Sequence, residues 1–339
     1  MPNNAECLEA LPHFRNKLLR RHADPGAFVA AGMTSRDYAT GITLRKRRGK
    51  SLEGEFALRL FVFEKSEVGV VAQEIQDFEG LPVEVAHLHR PVANATGRRH
   101  QGEHVLPRLP IVGGVSIGPR DTSITGTLGC FVSRTESRES GFFALSNNHV
   151  LANGDLLKIG TSIVHPAQGH VRTPTEYAFA SLSETIQMKF ITDTRSSERN
   201  LYDAALAVVT ARFEDILTGT IRGIDRYDPT HSSEATEKME VIKCGQTTGV
   251  TEGTVDSTHI LTEVDYSPKA APRMATFDEV FVVRGKDGST FAAEGDSGSI
   301  ILEKKTGHPV GLLFAADKKG WALACDFGKL CESLNVQPV

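Results

Sequence analysis

The sequence predicts a mainly β protein: two antiparallel β-barrels preceded by a small α+β unit. Three observations carry this. From Gly113 onward, short apolar runs are divided by Gly, Asp, Asn and Thr, the spacing of many short antiparallel strands. Before Gly113, strand-like runs flank a single helical pattern, which places a smaller mixed unit ahead of the barrels. The chain has 339 residues, 40% apolar and 24% charged, a globular composition long enough for about two domains.

Taken in order, residues 1–24 read as a helix or arm whose basic residues Arg15, Lys17, Arg20 and Arg21 form a solvated face. Residues 25–104 hold the small α+β domain and a linker. Its strands are expected at 41–45, 55–62 and 81–86, with a helix near 67–78. Because the strands alternate only partly, one face is expected to pack on a helix. The strand at 58–62 is read as an edge that needs cover, and symmetric self-association into a homo-oligomer is the expected cover. Prolines, glycines and the pair Arg98-Arg99 mark 91–110 as linker. Residues 105–339 form the two barrels, roughly 105–225 and 226–339, with exposed loops expected at 195–200 and 229–237.

Three segments carry candidate chemistry: Leu-Ser-Asn-Asn-His149-Val-Leu, Tyr-Asp203-Ala-Ala-Leu-Ala and Glu-Gly-Asp-Ser297-Gly-Ser-Ile-Ile. A serine hydroxyl is a weak nucleophile at neutral pH. It needs a neutral imidazole to take its proton and a buried carboxylate to fix the tautomer of that imidazole. His149 is the candidate base, Asp203 the orienter and Ser297 the nucleophile. Glycines on both sides of Asp296-Ser297 allow the backbone N–H groups of Gly295, Asp296 and Ser297 to converge as an oxyanion hole. The run from Ser299 to Glu303 then reads as a strand entering a core. Chain order His, Asp, Ser excludes the subtilisin and α/β-hydrolase arrangements.

With those segments, Gly114-Val115-Ser116-Ile117-Gly118, Gly126-Thr127-Leu128-Gly129-Cys130 and Gly311-Leu312-Leu313-Phe314-Ala315 make the chain resemble the trypsin-like serine peptidases of bacteria that are related to the plant narrow-leaf protease. The resemblance covers most of the chain. It implies a chymotrypsin/trypsin-like double barrel and peptide-bond hydrolysis through an acyl-enzyme, with a protein or peptide as substrate. All three triad candidates lie after residue 110, so residues 1 to about 104 are expected to regulate or target the protease, and a regulated protease acting on a specific partner is expected. The family's Arg-Thr-Thr-Gly element is here Gln246-Thr247-Thr248-Gly249. In such a fold the substrate pocket is walled by residues just before the nucleophile and on the strand after it, here Phe291, Phe314, Ala315 and Ala316. Phe291 stands where a basic preference would require an acid, so a small or apolar side chain is expected at the cleaved position. Ile111-Val112-Gly113-Gly114 matches the sequence at which trypsin zymogens are cut, but Pro110 precedes it and the match reads as chance. An uncut chain requires another partner for Asp296, because a buried unpaired carboxylate costs several kcal/mol. The alternatives from other classes are a catalytically silent binding module and an esterase.

The remaining composition narrows partners and compartment. A net charge of −4 gives no electrostatic case for nucleic acid. No apolar run reaches the ~20 residues of a membrane span, and the first residues lack a signal peptide's pattern, so a cytoplasmic protein is expected. Five cysteines, Cys7, Cys130, Cys244, Cys325 and Cys331, form no framework and read as free thiols. His87, His89, His100 and His104 cluster near the linker without metal-ligand spacing; no metal and no cofactor are expected.

Overall fold

The structure is a computed structural model that describes residues 2–20, 38–47, 50–93, 106–135, 141–168, 177–191, 198–267 and 273–339. Arg21, Arg98, Arg99, His100, His104 and residues 195–197 of the 195–200 loop lie outside them. The chain begins with α1 (Asn4–Arg20), β1 (Tyr38–Arg47), β2 (Lys50–Val62), α2 (Val68–Glu74), β3 (Asp77–Phe78) and β4 (Leu81–His87). A middle set follows: β5 (Ile111–Gly113), β6 (Ser116–Pro119), β7 (Gly126–Thr127), β8 (Cys130–Arg134), β9 (Phe142–Ser146), α3 (Asn148–Leu151), β10 (Ser162–His165), β11 (Tyr177–Thr185), β12 (Ala205–Val209) and β13 (Ile216–Ile221). The last set is β14 (Glu240–Gly245), β15 (Gly249–Asp265), β16 (Met274–Gly285), β17 (Ile300–Glu303), β18 (Pro309–Ala316), β19 (Ala322–Asp326), α4 (Phe327–Leu334) and β20 (Val336–Pro338). The chain is mainly β, as the turn-divided apolar runs predict.

Apart from β5 and β13, which pair with each other, the middle strands join β20 in one sheet in the order β20-β8-β9-β12-β11-β10-β6-β7. Its curled inner face buries Val115, Ile117, Phe131, Val150, Phe179 and Leu182. In the last set, β14, β17, β18, β19, β16 and β15 follow one another and β14 pairs back onto β15, which closes a barrel of antiparallel strands. Closure removes the exposed edges of an open sheet. The C-terminal β20 returns to pair with β8, tying the two units together.

The N-terminal strands merge with this second barrel. β15 is long, and one of its edges is shared: residues 249–254 pair with β14, and Ser257 to Leu261 pair with β1. Gly41 makes that approach feasible, since a Cβ there would stand 2.2 Å from the Ile260 side chain. β2 then alternates between two cores. Leu58, Leu60 and Val62 pack with Cys7, Leu11 and Phe14 of α1, whereas Phe61 and Phe63 join the central core with Leu145, Val264 and Phe314. Two-sided burial is why the strand alternates only partly.

Two sequence expectations are corrected here. Residues 58–62 are no edge, because β2 pairs with β1 on one side and in parallel with β4 on the other; the argument for self-association lapses with it. Arg15 is not solvated: it is buried, 3.1 Å from Asp278, and donates to Thr40 Oγ1 and the His259 carbonyl. Lys17 lies 4.9 Å from the centroid of the Phe78 ring. Arg59, fully buried on β2, meets Asp256 of β15 at 3.1 Å, and Arg284 of β16 bonds the same carboxylate. A chain starting at Gln101 would uncover half an edge of β15 and leave Asp256 one cation short. It is expected to melt well below the full chain or to aggregate; an unchanged melting temperature would show that the N-terminal strands are a separable domain.

Candidate active site

His149 and Asp203 are brought together by strand pairing. β9 and β12 are antiparallel with Ser146 opposite Ala205. His149 follows Ser146 in the short helix α3, and Asp203 precedes Ala205, so both leave the same end of the pair. Asp203 is fully buried and His149 nearly so. His149 Nδ1 lies 2.5 Å from Asp203 Oδ2, and the His149 backbone N–H donates to Oδ1 at 3.1 Å. Asn147 clamps the Asp203 carbonyl through its side-chain amide at 2.7 Å. A carboxylate at Nδ1 fixes the tautomer that leaves the Nε2 lone pair free. Nε2 is buried and has no hydrogen-bond partner among the described residues.

Tyr266 completes this corner and was not legible in the sequence. It follows β15, is buried, and donates its hydroxyl to Asp203 Oδ2 at 2.8 Å; its ring stands edge-on to His149 at 5.6 Å. Burial, and then the Asp203 charge, push its phenol well above the ordinary value, so it remains a donor.

Ser297 sits in the turn before β17. Gly295 and Gly298 both have φ +97°, and neither admits a side chain: a Cβ on Gly298 would lie 2.1 Å from the Thr127 carbonyl oxygen, and one on Gly295 would lie 2.5 Å from Thr247 Oγ1. β7 ties this turn to the first unit. Thr127 N–H donates to the Ser297 carbonyl at 2.8 Å, and Thr127 Oγ1 to the Gly295 carbonyl at 2.9 Å. The adjacent Gly126 lies against Val150, the neighbour of His149. Two consecutive residues of β7 therefore touch the serine turn and the histidine segment. The Ser297 hydroxyl donates to the Phe314 carbonyl of β18 at 3.3 Å, so in this state it is not spent on His149.

The Asp296 N–H donates to the Ala293 carbonyl, which removes it from the expected oxyanion set; the N–H groups of Gly295 and Ser297 have no acceptor among the described residues. The Asp296 side chain is fully buried and satisfied without any freed chain terminus. Lys243 Nζ stands 3.2 Å from Oδ2, and the N–H groups of Thr247, Thr248 and Ala293 and the Thr248 hydroxyl all donate to the carboxylate. Lys243 also donates to Thr248 Oγ1 and to the Gly249 carbonyl. Ile111, in contrast, is buried in β5, paired in parallel with β13.

A cavity of about 550 Å³ opens beside Ser297, lined by Val92, Ala292, Ala293, Leu313 and Ala316 together with Glu294, Asp317 and Lys318. Of the expected pocket residues only Ala316 lines it. Phe291 and Ala315 are core residues, and Phe314 stacks on Phe277 at 4.4 Å. The acid that the sequence failed to show is Asp317, whose carboxylate takes the backbone N–H groups of His89, Lys319 and Trp321. All five cysteines are free and buried; burial pushes the Cys130 and Cys325 thiols up to about 12, which leaves them protonated and poor nucleophiles.

No protein-family model matches the chain, and no curated protein sequence does. The chain is similar in structure to a glutamic acid-specific serine protease (14% identity, TM-score 0.45, covering 68% of this chain and 100% of that one) and to Thermobifida fusca protease A (17%, 0.44, 68% and 98%). A Cellulomonas bogoriensis chymotrypsin is similar at 16% identity and TM-score 0.43, over 68% of this chain and 98% of that one. At TM-scores below 0.5 these likenesses assign no chemistry to this chain.

Two substitutions measure how the corner and the turn are held. Lys243→Met strands the buried Asp296 carboxylate and is expected to cost about 3–5 kcal/mol in urea unfolding. Tyr266→Phe removes one charge-assisted bond to Asp203 and is expected to cost roughly 1.5–3 kcal/mol. Wild-type unfolding midpoints in both variants would refute the roles given to these residues.

Proposed function

We propose that the chain is a serine endopeptidase in which His149 is the general base, Asp203 its orienter and Ser297 the nucleophile. The observation that carries this reading is the His149–Asp203 contact at 2.5 Å with a bare, buried Nε2, together with a serine turn that β7, whose Gly126 lies against Val150, holds in place. Turning the Ser297 hydroxyl from the Phe314 carbonyl toward Nε2 sets up proton removal as the oxygen attacks a peptide carbonyl. An acyl-enzyme forms and the amine leaves with the proton from His149; water then repeats the sequence and restores the serine. The unspent N–H groups of Gly295 and Ser297 are the donors for the oxyanion. The walls Ala292, Ala293, Leu313 and Ala316 favour a small or apolar side chain at the cleaved position, since the Asp317 carboxylate of the same cavity is already taken up by three backbone N–H groups.

Regulation by the N-terminal segment belongs to the same reading. Val92 and Ala316 form an antiparallel bridge with both bonds made: Val92 N–H to the Ala316 carbonyl at 2.9 Å and Ala316 N–H to the Val92 carbonyl at 3.1 Å. Ala316 is two residues from the carbonyl that holds Ser297, and Val92 lines the same cavity as Ser297. An extended peptide reaching Ser297 along β18 needs the backbone groups that Val92 occupies, so Pro91–Ala93 acts as a strap that substrate displaces.

A fluorophosphonate probe is expected to label the wild-type chain and not Ser297→Ala, with peptide hydrolysis falling at least about a thousandfold in the variant. Absence of labelling in the folded wild type would select the silent binding module; labelling without cleavage of any member of a peptide library would select the esterase. Val92→Pro deletes one strap bond and is expected to raise kcat/KM on peptides several-fold. Unchanged kcat/KM with labelling intact would reject the strap and leave the nucleophile assignment standing.

A further inference from the structure

The loop between β13 and β14 lies across the turn between β17 and β18 of the second barrel. Asp228 N–H donates to the Gly307 carbonyl at 3.0 Å and Ser233 N–H to the Pro309 carbonyl at 2.9 Å. This brings Asp228 and His231 of the loop to His308 of the turn, with one ligand atom from each within 4.8 Å of the others. His231 also borders a cavity of about 740 Å³ against α4.

The hydrogen bonds decide which ring nitrogens are protonated. Thr230 Oγ1 has a single proton, which goes to Asp228 Oδ1; at its 2.9 Å contact with His231 Nδ1 it accepts, so the proton is on Nδ1. Ser233 Oγ donates to Glu303 Oε2 at 2.9 Å, and its 3.4 Å contact with His308 Nδ1 fixes the same tautomer there. Both imidazoles, when neutral, therefore carry their lone pair on Nε2. Asp228 Oδ1 already takes the Thr230 N–H and hydroxyl, which leaves Oδ2 to face His308 Nε2 at 3.5 Å. Two lone pairs at that distance repel unless a proton or a cation lies between them. Ligand atoms on one tetrahedral zinc, each ~2.0–2.1 Å from the ion, are themselves about 3.4 Å apart.

We propose that Asp228, His231 and His308 form a divalent metal site, with zinc the ion its donors select. Two neutral imidazoles and a carboxylate are borderline donors that suit Zn²⁺ better than Mg²⁺ or Ca²⁺, and three protein ligands leave a fourth position for water. The Asp228–His308 pair is already at ligand spacing, and the exposed His231 ring has the freedom to close the remainder. Thr230 and Ser233 are the outer partners that hold each ring in its metal-binding tautomer, the arrangement that raises ligand basicity in metal centres. The ion would staple the interbarrel loop to the start of β18. The site is independent of the proposed hydrolysis.

The test uses the full chain stripped of metal by a chelator and then dialysed out of it. Equilibrium dialysis against Zn²⁺ is expected to give one saturable ion per chain, and Co²⁺ the intense visible bands of a tetrahedral site. The melting temperature is expected to rise with Zn²⁺. His231→Ala and His308→Ala should abolish all three signals, and Thr230→Val and Ser233→Ala should weaken Zn²⁺ binding about 10–100-fold. Replacing His87 and His89 together by Asn, a pair with ring centroids 4.4 Å apart, should leave binding unchanged. The absence of saturable Zn²⁺ binding would overturn the proposal and reduce the cluster to a His308–Asp228 ion pair. Stoichiometric binding that survives in folded His231→Ala and His308→Ala would overturn it equally, by placing the ion elsewhere.

Discussion

The buried Asp296 carboxylate is the constraint on which the serine turn depends. A charge at zero exposure is tolerable only when its acceptor capacity is filled, and here three backbone N–H groups, one hydroxyl and one ammonium fill it. Those donors come from β14, the turn after it and Ala293, so the carboxylate draws three stretches of chain around the residue that precedes Ser297. Gly245 shows how tightly: a Cβ there would lie 2.4 Å from Asp296 Oδ1. Because Lys243 belongs to the same barrel, the turn is set as the barrel closes. The Ile111 segment is left to serve as a buried strand.

Much of the architecture was legible because its signals are local. Short apolar runs broken by turn residues gave the strands, and glycines flanking Asp296-Ser297 gave the turn, since φ +97° on both sides is a demand that glycine meets at no steric cost. His149 and Asp203 were legible for a similar reason: each stands beside a strand, and strand ends are where side chains converge. What escaped the sequence is long-range partnership. Nothing near Lys243 announces Asp296, and nothing near Tyr266 announces Asp203. The Asp228–His231–His308 cluster joins residues separated by most of a barrel, so motif spacing had no purchase on it. Phe291 and Phe314 failed as pocket walls for another reason: large aromatic side chains next to a site are worth more in the core, where both are fully buried.

The N-terminal segment illustrates how a sheet edge decides domain identity. Its composition reads as a separate α+β unit, and it does own a small core around Phe14 and Leu58. Yet β15 outruns its partner β14, and the exposed remainder of that edge is an obligation that β1 meets. Once β1 is fixed there, β2 and β4 follow by pairing, and the chain leaving β4 is delivered past Leu88 to the mouth of the cavity at Ser297. The placement of Pro91–Ala93 at that mouth is thus a geometric consequence of how β15 is completed.

β18 is where these threads meet. One face of the strand enters the core through Leu312 and Phe314, while its backbone holds the Ser297 hydroxyl at the Phe314 carbonyl and pairs with Val92 at Ala316. On the reading proposed here, a bound peptide has to take both positions, the first by drawing the hydroxyl toward its own carbonyl and the second by displacing Val92. The Ser297–Phe314 bond and the two Val92–Ala316 bonds can each be exchanged for a bond of similar strength to the peptide, so the exchange costs little net hydrogen-bond energy. The barrel itself need not move. Such an arrangement keeps the serine turn preorganised by Asp296 while letting substrate affinity be set against the chain's own segment, which places control in the competition for one strand edge.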